Sequence, residues 1–161
     1  VNQFESRQEA GETALYSFAR RVRFLYSTTK PSTTMLQVKD TLRATVRLGF
    51  DGRVYKKFRG PNAETRFATE VQVLRLLEDR GCGFVPKLLE ADAAQLQIVT
   101  TNCGNRVEHL DAERLRELFA ELETFGVRHD DPDIRNVTYR QTDGRFCVID
   151  FEFATVLPAT P

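Results

Sequence analysis

The stretch Gly126-Val127-Arg128-His129-Asp130-Asp131-Pro132-Asp133-Ile134-Arg135-Asn136-Val137 decides how this sequence is read. Between His129 and Asn136 it crowds three carboxylates, one histidine and one carboxamide. Carboxylates packed this closely repel one another unless a cation or a proton intervenes. Downstream, Cys147-Val148-Ile149-Asp150-Phe151-Glu152 places Asp150 at the end of an apolar strand. Asp150 and Asn136 together offer hard oxygen ligands, which suit Mg²⁺ better than zinc. No Cys or His cluster supports a transition-metal site, and two histidines are too few for hydrolases that need several histidine ligands.

Outward from this loop, the chain alternates strand and helix signals. Asp111 can N-cap a helix reaching Phe125, with Leu115, Leu118, Phe119 and Leu122 inward, and Gly126 ends it. After the loop come a strand near 137–140, a turn at Thr142-Asp143-Gly144 and a strand from Arg145 to Ile149. Before the helix, Val85–Glu90 and Gln95–Thr100 read as two strands joined near Ala91-Asp92. Pro61 and Asn62 open a helix over 62–79 with Phe67, Val71, Leu74 and Leu77 as its apolar stripe. Residues 33–60 read as a β-meander: Met35–Val38, then Leu42–Leu48, an Asp51-Gly52 turn of type I′, and the return strand Arg53–Phe58. Residues 3–26 read as a basic amphipathic helix, broken by Ser27–Ser32. The fold class is therefore α+β.

Within this frame, strand alternation sends one of Lys56 and Lys57 inward. Val54 and Phe58 share the face of Lys56, which makes Lys56 the inward lysine. Glu70 falls beside Phe67, Leu74 and Leu77, so it is partly buried and needs a partner; Glu64 is the competing carboxylate on that helix. Asp130 and Asp133 read as solvated loop charges. His109 reads as an exposed residue before a helix, and Cys103 as packing.

His129-x-Asp131-x-x-x-x-Asn136, a hairpin, and then Asp150-Phe151 resembles the catalytic loop and metal-binding segment of the protein kinases. Lys56 on the third strand of the meander and Glu70 on the next helix fall where that family places its phosphate-binding lysine and the glutamate that pairs with it. The resemblance covers about residues 33–155. It implies a two-lobed fold, with an antiparallel-sheet N-lobe (33–102) carrying one key helix and a minimal helical C-lobe (103–161), preceded by the N-terminal helix and linker (1–32). It implies ATP and Mg²⁺ as cofactors. Lys56 would hold the ATP phosphates and pair with Glu70, Asp131 would orient or deprotonate the acceptor hydroxyl, and Asn136 and Asp150 would hold Mg²⁺. His129 and Phe151 would be structural, stacking with Leu74.

The sequence departs from the family in four places. The loop between the first two strands, Gln37–Arg43, has no glycine, so backbone amides cannot approach phosphates in the usual way; Lys39 or Arg43 could supply charge instead. Glu152 replaces the glycine after Asp150-Phe151. Asp130 replaces the arginine that receives an activation-loop phosphate. Only 11 residues follow Asp150, which leaves no room for an activation segment or peptide-docking helices. The resemblance is thus to a minimal, atypical kinase of the Rio, Bud32-like or lipopolysaccharide-kinase kind with a strongly truncated C-lobe, to be covered by the N-terminal helix at 3–26, by a partner protein or by a second copy in a homodimer. It implies an ATP-dependent phosphotransferase or ATPase whose acceptor is not a conventionally docked peptide. The alternative is a pseudokinase: a nucleotide-binding or scaffold module that regulates a partner.

Composition narrows the remaining classes. With 41% hydrophobic and 29% charged residues in 161, the chain has the profile of a soluble globular protein. No apolar run approaches the ~18 residues of a spanning helix, and Val1–Glu5 lacks a signal-peptide pattern, so no membrane partner is expected. Cys82, Cys103 and Cys147 form no CxxC, which fits a reducing cytoplasm. Residues 1–60 hold 12 Lys/Arg against 5 Asp/Glu, and residues 61–161 hold 11 against 18. A basic front and an acidic back suit a cleft that holds a polyanion with its metal. The basic segment lacks a stacking-aromatic motif, which disfavours a nucleic-acid partner.

Overall fold

A computed structural model of the chain describes residues 36–158. The amphipathic helix expected at 3–26 and the linker after it lie outside the described residues. Within them the protein is α+β: three antiparallel sheets and two α-helices.

The largest sheet has five strands: β1 (Leu36–Asp40), β2 (Ala44–Leu48), β3 (Arg53–Phe58), β4 (Leu88–Asp92) and β5 (Gln97–Thr101), in the order β1-β2-β3-β5-β4. Helix α1 (Ala63–Asp79) follows β3 and packs against β3, β4 and β5. Its inward face carries Phe67, Val73, Leu74 and Leu77, all buried, at the spacing of one helical stripe. Phe58 and Phe67 meet edge to face at 5.8 Å between ring centres, fixing the helix against the sheet. Helix α2 (Ala112–Thr124) begins at Asp111, whose side chain accepts from the Glu113 and Arg114 amides. It buries Leu118, Phe119 and Leu122 against β7 (Val127–Arg128) and β9 (Arg145–Val148). A three-stranded sheet orders β6 (Asn105–Arg106), β8 (Val137–Arg140) and β9, and β10 (Thr155–Val156) pairs with β7. One continuous apolar core joins Phe58, Leu74, Leu77, Leu122, Val127, Val148 and Phe151, so both helices and all three sheets share it.

Several boundaries differ from the sequence reading, each for a local reason. Strand β2 starts at Ala44 instead of Leu42, because the Thr41 hydroxyl accepts from the Arg43 and Ala44 amides and makes a turn of its own. Strand β4 starts at Leu88, after Pro86, which has no amide to give a ladder. Strand β5 starts at Gln97, since residues 93–96 turn, with Leu96 at φ 48°. The turn between β2 and β3 is not type I′. The Gly52 amide bonds back to the Gly49 carbonyl and only Gly52 is left-handed, at φ 74°. Asp51 instead accepts from the Arg53 amide at 3.0 Å and from the Tyr55 hydroxyl at 2.8 Å, which ties the turn to the start of β3. Strands β6, β7 and β10 are two-residue pairings too short to leave a periodic trace. Among the described residues no helix is long and apolar enough to cross a membrane.

Candidate functional site

Lys56 stands on the inward face of β3, 7% exposed, while Lys57 points outward. Its ammonium lies 2.6 Å from Glu70 Oε2 and 2.5 Å from Asp150 Oδ1. Glu70 comes from the buried stripe of α1 and is 4% exposed; Glu64 on the same helix is exposed, which settles the choice between the two. Asp150 follows β9 and sits at φ 69°, a left-handed conformation that Asp tolerates better than most residues. The chain bends there out of the strand, sending Phe151 into the core and Asp150 toward Lys56. Lys39, at the end of β1, reaches the other oxygen of Asp150 at 3.2 Å.

Two further charges complete this cluster, and the sequence reading assigned neither. Glu152, 9% exposed, places Oε2 3.5 Å from the Lys56 ammonium and 3.0 Å from Arg66 Nη1. Arg66, 4% exposed, lies one turn before Glu70 on α1. Three cations and three carboxylates thus balance around one point. The available signal was spacing: Arg66 and Glu70 are four apart on one helix, and Asp150 and Glu152 two apart after a strand.

Burial acts on each of these groups. It pushes the Glu70 carboxyl up to about 7, against the pull of Lys56 and with a further push from the Asp150 and Glu152 charges. Burial also opposes the charged form of Asp150, but Lys56 and Lys39 overcome it and hold that carboxyl well below the usual carboxylate range. Burial opposes the Lys56 charge as well; Glu70, Asp150 and Glu152 overcome it and keep the ammonium charged. Burial thus weighs toward the protonated form at Glu70, while the two lysines weigh toward the ionised form at Asp150.

The loop at 128–136 faces this cluster. His129 is buried between Phe119 and Phe151, with ring centres 5.3 and 5.4 Å away. Its Nδ1 accepts from the Asp131 amide at 3.2 Å, which leaves Nε2 to donate to the Ile149 carbonyl at 3.1 Å. That pattern defines the neutral Nε2–H tautomer and ties the loop to the segment before Asp150. The Asp131 carboxylate receives Arg135 on both oxygens, at 2.6 and 2.7 Å, and that guanidinium holds its carboxyl below the usual range. Asn136 is buried at the end of a short 3₁₀ turn (Ile134–Asn136) that Asp133 caps by accepting from the Arg135 amide. Its Nδ2 donates to the Asp131 carbonyl at 2.9 Å and to Asp131 Oδ2 at 3.2 Å. Among the described residues its Oδ1 accepts no hydrogen bond. Asp130 is held by Arg128 and Thr155, so Asp130 and Asp133 both do structural work in the loop. Cys103 is buried and its carbonyl accepts from Thr138, while His109 is exposed.

Lys39, Lys56, Asp131, Arg135, Asn136, Asp150 and Glu152 line one open cleft of about 580 Å³, with the β1–β2 turn (Thr41–Arg43) on its rim. Of the five polar positions singled out in the sequence, four line it and Glu70 lies behind Lys56, and they divide into two groups. Lys56, Glu70 and Asp150 form the buried ionic centre; Asp131 and Asn136 form a hydrogen-bonded pair facing it. The donor types fit a hard divalent cation: a carboxylate on Asp150 and, on Asn136, an amide oxygen that accepts no hydrogen bond among the described residues. Glu70, Asp150 and Glu152 also bring oxygens within 4.8 Å of one another, but the Lys56 ammonium already sits among them. No family model and no curated protein matches this chain.

Proposed function

We propose that the chain is an atypical, kinase-like phosphotransferase or ATPase that uses Mg·ATP bound between two lobes. The five-stranded sheet with α1 would be the upper lobe and residues 103–161 a minimal lower one. One observation carries this reading: Lys56, Glu70, Asp131, Asn136 and Asp150, far apart in the chain, converge, with Glu70 at 2.6 Å and Asp150 at 2.5 Å from the same ammonium. Phosphoryl transfer asks mainly for positioning and charge neutralisation, and this set supplies both. Lys56 would hold phosphate oxygens while Glu70 fixes its position. Asn136 and Asp150 would hold Mg²⁺, which when bound neutralises charge on the transferred group. Asp131, ionised and aligned by the Asn136 amide, would orient an acceptor hydroxyl or water and accept its proton.

The β1–β2 turn fits a nucleotide lid built without glycine. Lys39 reaches the centre with its side chain instead of presenting backbone amides, and Arg43 lies at the rim, its guanidinium 5.3 Å above the Phe153 ring. A second reading, a pseudokinase scaffold, is favoured by the Arg135 clamp, which occupies both oxygens of Asp131. Titration calorimetry of ATP with and without Mg²⁺, on the wild type and on Lys56→Met, tests the nucleotide site. Single-turnover release of phosphate from bound ATP then separates the two readings. Mg²⁺-dependent binding lost in Lys56→Met, with turnover in the wild type, supports the phosphotransferase. Binding without turnover supports a nucleotide-binding pseudokinase, and no binding refutes the phosphotransferase and leaves the pseudokinase as a scaffold.

A further inference from the structure

Arg66 and Glu152 form a second buried ion pair beside Lys56, and the proposed chemistry gives neither a task. Arg66 uses all three of its guanidinium nitrogens. Nη1 donates to Glu152 Oε2 at 3.0 Å and to the Arg43 carbonyl at 3.2 Å. Nη2 donates to the Arg59 and Pro61 carbonyls at 2.7 and 3.1 Å, and Nε to the Pro61 carbonyl at 3.3 Å. These acceptors belong to the β1–β2 turn, the end of β3, the approach to α1 and the segment after Asp150. A guanidinium is a rigid planar fork that stays charged, so it holds all four at fixed mutual distances.

The helix and the loop also match each other in charge. Arg66 and Glu70, one turn apart, present a cation and an anion along one face of α1. Asp150 and Glu152, two residues apart, present two carboxylates from the facing segment. Lys56 lies between them, bonded to Glu70 and Asp150 and 3.5 Å from Glu152. Without the Glu152 side chain, Arg66 would lose the one carboxylate that pairs with it among the described residues and remain buried, a costly arrangement. Among the described residues, the Lys56 and Lys39 bonds alone would then link the remaining carboxylate, Asp150, to the sheet.

We infer that Arg66 and Glu152 are a positioning pair that clamps the Asp150 segment to α1 and the β1–β2 turn, setting the Lys56–Glu70–Asp150 centre. This rests on the nucleotide reading above and assigns a purpose to the carboxylate that stands where the kinase pattern has glycine. The test compares Glu152→Ala, Glu152→Gln, Arg66→Lys and the Arg66→Lys/Glu152→Ala double variant, using Mg·ATP titration and backbone hydrogen exchange. Glu152→Ala is expected to weaken Mg·ATP binding about tenfold. Glu152→Gln, which keeps an oxygen for Arg66, is expected to stay within about threefold of the wild type. The double variant is expected to lose no more than the worse single variant, as two residues acting through one contact should. In Glu152→Ala, amides of residues 41–44 and 150–154 should lose protection together while α2 keeps its own. Unchanged or tighter Mg·ATP binding in Glu152→Ala overturns the clamp, as does a double variant whose loss is the product of the singles. If the wild type binds no Mg·ATP, the nucleotide reading fails. Exchange then decides the clamp alone: joint loss in both segments upholds it, and loss in one segment only overturns it.

Discussion

Replacing Lys56 with methionine removes the one cation among the described residues that touches both Glu70 and Asp150, without changing side-chain length much. The three carboxylates Glu70, Asp150 and Glu152, with oxygens within 4.8 Å of one another, keep Arg66 and Lys39 at their edges. Removing one partner of a buried pair costs about 3–5 kcal/mol when the other charge stays. Here the cost has an outlet, because a carboxyl can take up a proton instead. In the wild type the Glu70 carboxyl already sits at about 7, raised from an ordinary 4.5. A raised folded value means that its stabilising contribution is complete below pH 4.5 and is lost as pH rises toward 7. At 1.36 kcal/mol per unit that loss is about 3 kcal/mol across the window. Without Lys56 the Glu70 carboxyl moves higher still, so the variant continues to lose stability above pH 7 where the wild type has levelled off. Urea unfolding at pH 5.5 and pH 8 measures both effects. The variant should lie about 3–5 kcal/mol below the wild type at pH 8, with a clearly smaller gap at pH 5.5. Glu70→Gln should flatten the wild-type slope between pH 4.5 and 7. An equal gap at the two pH values, or one under about 1 kcal/mol at pH 8, would refute the view that Lys56 neutralises a buried carboxylate cluster.

Three other outcomes are open to direct measurement. Asp131→Asn should leave Mg·ATP affinity intact and lower turnover by about 10²–10⁴-fold; because the Arg135 pair is exposed, stability should change by less than about 1 kcal/mol. Asp150→Asn should remove the Mg²⁺ dependence of ATP affinity in calorimetry, and a surviving dependence would take Asp150 out of the metal set. Gly104→Ala tests the fold beside the cleft. At φ 93° an added Cβ would lie 2.0 Å from the Tyr139 carbonyl oxygen, so β6 must part from β8, lowering stability by about 2–4 kcal/mol in urea.

The α+β order and both helices were legible because their signals are local. Asp111 and Gly126 bracket α2, and the stripe through Phe67, Leu74 and Leu77 marks the buried face of α1. Strand ends were less legible, because side chains that compete for backbone amides decide them: the Thr41 hydroxyl before β2 and the Asp51 carboxylate in the next turn. The inward choice of Lys56 over Lys57 followed from alternation alone, since Phe58 two residues on must be buried. The His129 tautomer was not legible; it depends on the Ile149 carbonyl, twenty residues away.

Glu152 shows most clearly what a local reading of the site leaves out. Next to Asp150-Phe151 it looks like damage to a motif, since a carboxylate replaces the residue with the least steric demand. Its meaning depends on Arg66, 86 residues earlier in the chain, and on the burial of both. A buried arginine needs a counter-charge, and a third carboxylate beside Lys56 needs a second cation. Each residue alone would be a liability at that depth, and together they satisfy both requirements. The same logic applies at Asn136, whose amide nitrogen is spent on Asp131 so that its oxygen is left for the cleft. Among the described residues no side-chain nitrogen or oxygen that is itself fully shielded from solvent lacks a partner. Charges this dense persist in a folded chain only when each is answered, and the answering residues come from β1, β3, α1 and the segment after β9. Sequence spacing could nominate the members of this cluster, and only the fold could pair them.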